Sequence, residues 1–210
     1  MKRGLFITFE GGEGVGKTSV IKAVSERLKK EGIDFIVTRE PGGSHIAEEI
    51  RSIILDPKNT EREARTEALL YAASRRQHLH EIVIPALNKG TLVISDRYLD
   101  SSLAYQGYAR GIGREEVYSI NKFAIENTRP DRTFFLDLLP EEGLKRIALH
   151  RQQQVDRLDR EKLSFHQKVY EGYKLLLQRF PERIIRIDAS QTIEQEAEEI
   201  SARILKKIHG

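Results

Sequence analysis

The chain has 210 residues, the size of one α/β domain, and its 39% hydrophobic and 32% charged residues are typical of a globular protein. It has no cysteine, which excludes disulfides, thiolate metal sites and cysteine nucleophiles. Because the formal net charge is only +3 and no apolar run approaches the length of about 18 residues that spans a membrane, we expect a cytoplasmic protein without a nucleic-acid or membrane partner.

Short apolar runs alternate with stretches of helical periodicity along the chain. The strand-like runs are at residues 5–9, 35–38, 92–95, 133–136 and 184–187. The helix-like stretches are at residues 18–30, 46–55, 65–88, 114–127, 140–150, 160–179 and 192–208. This alternation predicts βαβ units, and hence a doubly wound, five-stranded parallel sheet flanked by helices in one domain over residues 1–210. The polar segment at residues 151–157 has no apolar stripe and fits either a surface loop or a lid.

A glycine-rich string follows the first predicted strand and fits the pattern G-x-x-x-x-G-K-[ST]. Its members, the candidate ATP-binding residues, are Gly11, Gly12, Glu13, Gly14, Val15, Gly16, Lys17 and Thr18. Glycines let successive N–H groups close round an anion at a helix N-terminus. In such a loop Lys17 bridges the β- and γ-phosphates and Thr18 holds Mg²⁺. The string therefore predicts a nucleoside triphosphate site.

Asp96 ends the third strand-like run, where proteins with such a loop place a carboxylate beside Mg²⁺. A strand-end turn also commonly contains Asp, but the phosphate loop favours the metal role. Arg97 follows where a motor-type ATPase usually has a Glu that activates water, and a guanidinium cannot act as a base. The Asn-Lys pairs at 88–89 and 121–122 lack the Asp of the GTPase motif Asn-Lys-x-Asp.

Transfer to a second phosphate requires additional cations, which gather two anionic substrates and neutralise charge in the transition state. Arginines follow two of the predicted strands and occur on a helix and in the polar segment: Arg39, Arg75, Arg76, Arg97, Arg151 and Arg157. Ligands of doubly wound sheets gather at the carboxyl ends of the strands. We therefore expect a kinase that acts on a phosphorylated small molecule.

Three segments resemble the thymidylate kinase (dTMP kinase) family. Residues 96–107 read Asp-Arg-Tyr-Leu-Asp-Ser-Ser-Leu-Ala-Tyr-Gln-Gly, residues 38–43 read Thr-Arg-Glu-Pro-Gly-Gly, and residues 65–76 begin Arg-Thr-Glu-Ala-Leu-Leu-Tyr. Arg-Leu-Asp at 157–159 is also similar to that family. The resemblance extends from the first strand to the last helix. It implies phosphorylation of dTMP to dTDP with Mg²⁺ and ATP, a step of dTTP biosynthesis, by in-line transfer in a homodimer.

The resemblance also implies roles for matching residues. Arg39 and Arg97 match arginines that hold the acceptor monophosphate, and Arg146 matches a position against adenine, which Asp188 and Ala189 would close. The other implied contacts to dTMP come from Glu13, Tyr71, Arg75, Ser102, Tyr105 and Gln106. Tyr71 stands where the family usually has Phe to stack on thymine, and Tyr105 would crowd a 2′-hydroxyl. Arg75 and Gln106 match residues that hydrogen-bond the edge of the base.

Members of the family carry a catalytic arginine either in the phosphate loop or in a lid. Because residue 14 is Gly and two arginines stand in the polar segment, the chain looks like the bacterial type with a lid at about residues 150–160. The spacing does not indicate which of these two arginines is the catalytic one. The implied catalytic residues are Lys17, Asp96, Arg97, Arg151 and Arg157. Two alternatives remain: another nucleoside monophosphate or deoxynucleoside kinase, and a P-loop regulatory ATPase.

Overall fold

The computed structural model describes residues 3–150 and 161–209. Within these ranges the strands are β1 (Phe6–Glu10), β2 (Phe35–Arg39), β3 (Leu92–Asp96), β4 (Arg132–Asp137) and β5 (Ile184–Asp188). They form one five-stranded sheet in the order β2-β3-β1-β4-β5, and every neighbouring pair is parallel. Each strand therefore lies within one residue of its predicted bounds, and the doubly wound α/β class is confirmed.

Helices cover both faces of the sheet. Those in the described ranges are α1 (Lys17–Lys30), α2 (His45–Leu55), α3 (Ala64–His78), α4 (Ile84–Asn88), α5 (Leu99–Ser102), α6 (Arg114–Ile125), α7 (Pro140–His150), α8 (Leu163–Arg179) and α9 (Ile193–His209). Two π-helical segments, Leu79–Val83 and Leu103–Ala109, continue α3 and α5. None of the described helices has the length and apolar character that a membrane-spanning segment requires.

The helical stretch predicted over residues 65–88 is present, but it is not one continuous α-helix. The π-helical Leu79–Val83 separates α3 from α4, and Pro85 lies in the first turn of α4. Proline has no N–H and its ring collides with the carbonyl four residues earlier, so a regular α-helix does not continue through it. In the π-helical turn each backbone hydrogen bond spans five residues instead of four. This wider turn accommodates the proline while the helix axis continues.

The helix at residues 99–109 is absent from the predicted elements. Most of its residues are buried, and Asp100, Ser102 and Gln106 are among them. A helix that is enclosed on all sides has no polar face, so the periodic signal of a surface helix is missing. This segment nonetheless carries much of the site described below.

Alternate strand residues point to opposite faces of the sheet and build two cores. Phe6, Val93 and Phe135 belong to the core beneath α8 and the 99–109 segment. Their neighbours Ile7 and Ile94 belong to the core beneath α1 and α9. Both faces of the central strands β1, β3 and β4 are thus buried, which is why these strands read as continuous apolar runs.

Candidate active site

The glycine-rich loop lies between β1 and α1, as predicted. Gly14 and Gly16 have φ of 71° and 96°, a region that side chains disfavour. The Lys17 ammonium turns back into the loop and donates to the carbonyls of Gly11 (3.2 Å) and Gly12 (2.9 Å). Burial, together with the nearby Arg97, lowers the pKa of Lys17 to about 8. The loop thus forms an anion cradle at the N-terminus of α1.

Position 14 is enclosed by the backbone of α7. A Cβ atom at Gly14 would lie only 2.1 Å from the carbonyl oxygen of Gly143, and one at Gly143 would lie 2.3 Å from the carbonyl oxygen of Glu13. The loop and α7 therefore touch backbone to backbone, with no room for a side chain at residue 14.

A cleft of about 690 Å³ opens in front of this loop. It is lined by the loop and α1 residues 13–19, by Arg39, Glu40, Arg51, Asp96 and Arg97, and by Arg146, Ile147, Gln191, Thr192, Ile193 and Glu196. The structure thereby brings Lys17, Thr18 and Asp96 together, as the sequence predicted. Arg146 lines this cleft and donates to the carbonyl of Ala189 at 3.1 Å, so two of the residues predicted for the adenine end contact each other.

The surroundings of Asp96 fit a magnesium ion. Its Oδ1 is buried and takes no hydrogen bond from the described part of the chain. No group of three His, Cys, Asp or Glu side chains that could hold a metal alone exists among the described residues. Mg²⁺ is commonly held by one or two carboxylates together with substrate phosphates, so a single free carboxylate oxygen in the cleft suits it.

Arg97 lies at the centre of the site. Its backbone is left-handed, with φ of 71°, and its N–H bonds the carbonyl of Phe9. Its guanidinium donates to Glu13 at 2.7 Å and to the Gly11 carbonyl at 2.9 Å, and it lies 5.0 Å from the centre of the Tyr105 ring. Burial raises the pKa of Glu13, but the charges of Arg97 and Lys17 outweigh it and lower this pKa to about 2. The ion pair is therefore fixed in its charged form at neutral pH.

Glu10, which the sequence did not single out, supports Arg97 from behind. One carboxylate oxygen accepts the backbone N–H of Tyr98 at 2.8 Å, and the other accepts the hydroxyls of Ser101 (2.6 Å) and Tyr173 (2.9 Å). Burial and the neighbouring Asp100 raise the pKa of Glu10 to about 7. An acidic residue at the end of the first apolar run, just before the glycines, was the only available signal of this role.

A smaller pocket of about 80 Å³ adjoins the cleft, and the two share Glu13, Glu40, Arg51 and Arg97. It is lined by Glu13, Glu40, Pro41, Arg51, Leu55, Tyr71, Arg97, Ser101, Tyr105 and Gln106. Most residues predicted to contact dTMP thus surround one pocket, and the Tyr105 hydroxyl donates to Glu13 at 2.8 Å. The lining residues that were not predicted to contact dTMP are Glu40, Pro41, Arg51, Leu55 and Ser101.

Arg75 and Ser102 lie one layer behind this lining. Arg75 is 2% exposed, and it donates to Glu40 at 2.7 Å and to Ser102 at 3.1 Å. Glu40 also contacts His78, which is fully buried. In the sequence, the only indication of this role for Glu40 was its position directly after Arg39, in the segment at residues 38–43 that resembles the family.

Arg39 reaches the cleft from the end of β2, where its guanidinium bonds both oxygens of Glu48 at 2.9 Å. Arg151 and Arg157, with the rest of the predicted lid, lie outside the described residues.

A parallel sheet with an anion cradle after β1, a carboxylate at the end of β3 and a second pocket joined to the cleft by an arginine defines a P-loop kinase of small phosphorylated molecules. Comparisons with known proteins are more specific. The family model described as Thymidylate kinase matches residues 9–200.

Curated relatives named Thymidylate kinase cover nearly the whole chain. The protein of Oceanobacillus iheyensis is 56% identical over 97% of this chain and 92% of its own length. That of Bacillus velezensis is 57% identical over 98% of both chains, and that of Clostridium novyi is 55% identical over 95% of this chain and 98% of its own. The chain belongs to the thymidylate kinase family. This confirms the predicted enzyme, an ATP-dependent kinase of dTMP, and does not favour either alternative.

Proposed function

We propose that the protein converts ATP and dTMP to ADP and dTDP with the donor in the large cleft and the acceptor in the adjoining pocket. The observation that carries this assignment is that Arg97 and Glu13 line both spaces. A guanidinium at their junction can bind the acceptor phosphate while the phosphate loop holds the donor, which places nucleophile and electrophile side by side.

The donor phosphates bind the loop N–H groups and Lys17, which must leave the Gly11 and Gly12 carbonyls to reach them. Thr18 and Asp96 would hold Mg²⁺, partly through water, and the ion would neutralise charge on the transferring group. Arg146 lies against adenine. A terminal phosphate whose second pKa is about 6 is largely ionised at neutral pH, so the acceptor oxygen attacks without a strong general base.

The acceptor phosphate binds Arg97 and Arg39, and the second of these must exchange Glu48 for the phosphate. Tyr71 and Tyr105 enclose the nucleoside, Glu13 faces its sugar, and Gln106 contacts its base. Arg75 and Ser102 support the base end from behind the lining.

A catalytic arginine from the predicted lid completes the site. The contact between Gly14 and Gly143 supports this proposal, because it leaves no room for an arginine at position 14. A lid arginine reaches the phosphate only after closure, which limits hydrolysis without acceptor. Arg151→Ala or Arg157→Ala should lower kcat for one of the two, and wild-type rates for both variants would contradict the lid role.

A homodimer is proposed from apolar side chains on the surface of three adjacent helices. Phe123 on α6 is 87% exposed, Leu69 on α3 is 54% exposed and Ile53 on α2 is 48% exposed. Because α3 packs against both α2 and α6, these side chains can share one surface. A cytoplasmic location stays a prediction.

The test of the proposed function is ADP formation from Mg²⁺ and ATP, without acceptor and then with dTMP, dUMP, UMP and AMP. We expect strong stimulation by dTMP, weaker stimulation by dUMP and none by the ribonucleotides. Equal ADP formation with and without every acceptor would contradict the assignment of the small pocket.

A further inference from the structure

The side-chain amide of Gln106 can present either of two atoms with opposite hydrogen-bonding properties to the acceptor pocket. Its amide nitrogen can only donate and its amide oxygen can only accept. Rotation of the amide by half a turn would exchange them. A neighbour that fixes this rotation would therefore determine which bases the pocket accepts.

Glu67 is that neighbour. It lies on α3, is 2% exposed, and its Oε1 accepts a hydrogen bond of 3.0 Å from Nε2 of Gln106, which is 1% exposed. A carboxylate accepts hydrogen bonds, so the nitrogen of the amide must face Glu67 and the oxygen must face away. Within the described part of the chain, that oxygen takes no hydrogen bond, and Gln106 lines the acceptor pocket.

Two arginines hold the Glu67 carboxylate in place. Arg62 donates to its Oε2 and Arg110 to its Oε1, each at 3.4 Å. Arg110 is in turn held by Glu161 at 2.6 Å and lies 4.4 Å from the centre of the Phe165 ring. Arg62 also donates to the carbonyl of Ile53 at 2.8 Å. Guanidinium groups only donate, so the contacts of Arg62 and Arg110 with Glu67 both require that Glu67 accepts.

We propose that Glu67 is a positioning residue that determines base selection by fixing the Gln106 amide with its oxygen toward the acceptor. Glu67 does not touch the nucleotide. An inward-facing oxygen accepts the N3–H that thymine and uracil carry, whereas cytosine presents a lone pair at N3 and is repelled. This inference rests on the proposed contact between Gln106 and the base.

The decisive variant is Glu67→Gln. A glutamine can pair with the Gln106 amide in either direction, so the Gln106 oxygen is no longer obliged to face the pocket. We expect the ratio of kcat/KM for dTMP to kcat/KM for dCMP to fall about tenfold, which is the effect of one buried hydrogen bond that is no longer enforced. Glu67→Asp keeps an acceptor-only group and should retain most of the preference.

Arg62→Gln is the matched control, because it removes a partner of Glu67 on the side away from Gln106. It should lower the melting temperature without changing the dTMP-to-dCMP ratio, because Arg110 still holds the Glu67 oxygen that accepts from Gln106. If Glu67→Gln also keeps the wild-type ratio, the residue is merely structural and the inference is wrong. Gln106→Ala tests the base contact separately from the positioning role of Glu67. Unchanged dTMP kinetics in that variant would overturn the proposed base contact, and the role of Glu67 with it.

Should Glu67→Gln fail to fold, the wild-type enzyme provides a second test. The side-chain NH₂ protons of Gln106, followed by NMR, should exchange slowly with solvent both before and after dTMP binds. Rapid exchange in the free enzyme, or magnetisation transfer from these protons to the thymine base, would show that the nitrogen faces the pocket and would overturn the inference.

Discussion

Arg97 occupies a backbone conformation that is unfavourable for any residue except glycine. A left-handed φ of 71° costs about 1–2 kcal/mol, and the surrounding hydrogen bonds offset it. The N–H groups of Arg97 and Tyr98 are held by the Phe9 carbonyl and by Glu10. This geometry directs the guanidinium back across the end of β1, into the junction of the cleft and the pocket.

Replacement of Arg97 by Ala should impair acceptor binding as well as turnover. The acceptor phosphate loses a bidentate partner, and the partly buried Glu13 carboxylate loses the cation that stabilises it. We expect KM for dTMP to rise and kcat/KM for dTMP to fall at least about 100-fold, the effect of losing a charge-assisted contact in a buried site. Steady-state kinetics at saturating ATP measures both.

The partly exposed Arg76, which pairs with Glu126 on the helix surface, is the control for Arg97. Arg76→Ala should leave the dTMP kinetics unaltered. A KM for dTMP that stays at the wild-type value in Arg97→Ala would contradict the assignment of the acceptor phosphate to this guanidinium.

At the scale of the elements, the effect on stability of the backbone contact between the phosphate loop and α7 can be separated from the effect of backbone strain. Gly14 and Gly32 have nearly equal φ, 71° and 69°, but only Gly14 has a neighbour that a Cβ would meet. Gly32→Ala should therefore cost about 1 kcal/mol through strain alone and leave KM for ATP unchanged.

Gly14→Ala should cost more than this and should raise KM for ATP, because α7 and the loop must move apart. Thermal unfolding of both variants, with ATP kinetics alongside, measures the difference. Equal destabilisation, with wild-type ATP kinetics in both, would mean that the contact with Gly143 does not shape the donor site.

The elements differed in how well the sequence predicted them. The strands and long helices could be placed because each has a regular apolar pattern, and the phosphate loop because its spacing is specific. The helix at 99–109 could not, since burial on all sides removes periodicity. Glu10, Glu40 and Glu67 were missed because a buried carboxylate and a solvated one look alike in sequence, and only the fold shows which arginine or backbone N–H each one meets.

At the scale of the whole molecule, Glu196 makes stability depend on pH. Burial raises its pKa to about 7 from an ordinary 4.5, although Arg146 lowers it. Between these values the folded protein keeps a proton that the unfolded chain has lost, so stability falls as pH rises through this window. Glu196→Gln should remove this loss of stability with rising pH.

The variant should match the wild type in pH dependence below the window and gain about 1–2 kcal/mol of unfolding free energy at pH 8, the order of magnitude that a raised pKa in the folded state gives. Denaturant unfolding at pH 5 and pH 8 measures it. Glu198→Gln, at an exposed position of the same helix, is the control. A gain that is identical at both pH values would contradict the assignment to Glu196.

The proposed dimer links the surface of the molecule to its acceptor pocket through α3. This helix carries Tyr71 and Arg75 toward the pocket, while Leu69 on the same helix is exposed, as is Phe123 on the adjacent α6. A second copy that covers these apolar side chains would hold α3 from outside. Phe123→Asp places a charge in that surface and should convert a dimer to a monomer in sedimentation velocity experiments.

Because α3 then loses its external support, the monomer should also show a raised KM for dTMP and an unchanged KM for ATP. Leu149→Asp is the control, since Leu149 is equally apolar and 74% exposed but lies on α7, which is not one of the three helices of the proposed interface. It should remain dimeric. A wild-type protein that sediments as a monomer at micromolar concentration, or a Phe123→Asp variant that stays dimeric, would show that the exposed apolar side chains of α2, α3 and α6 do not form the interface.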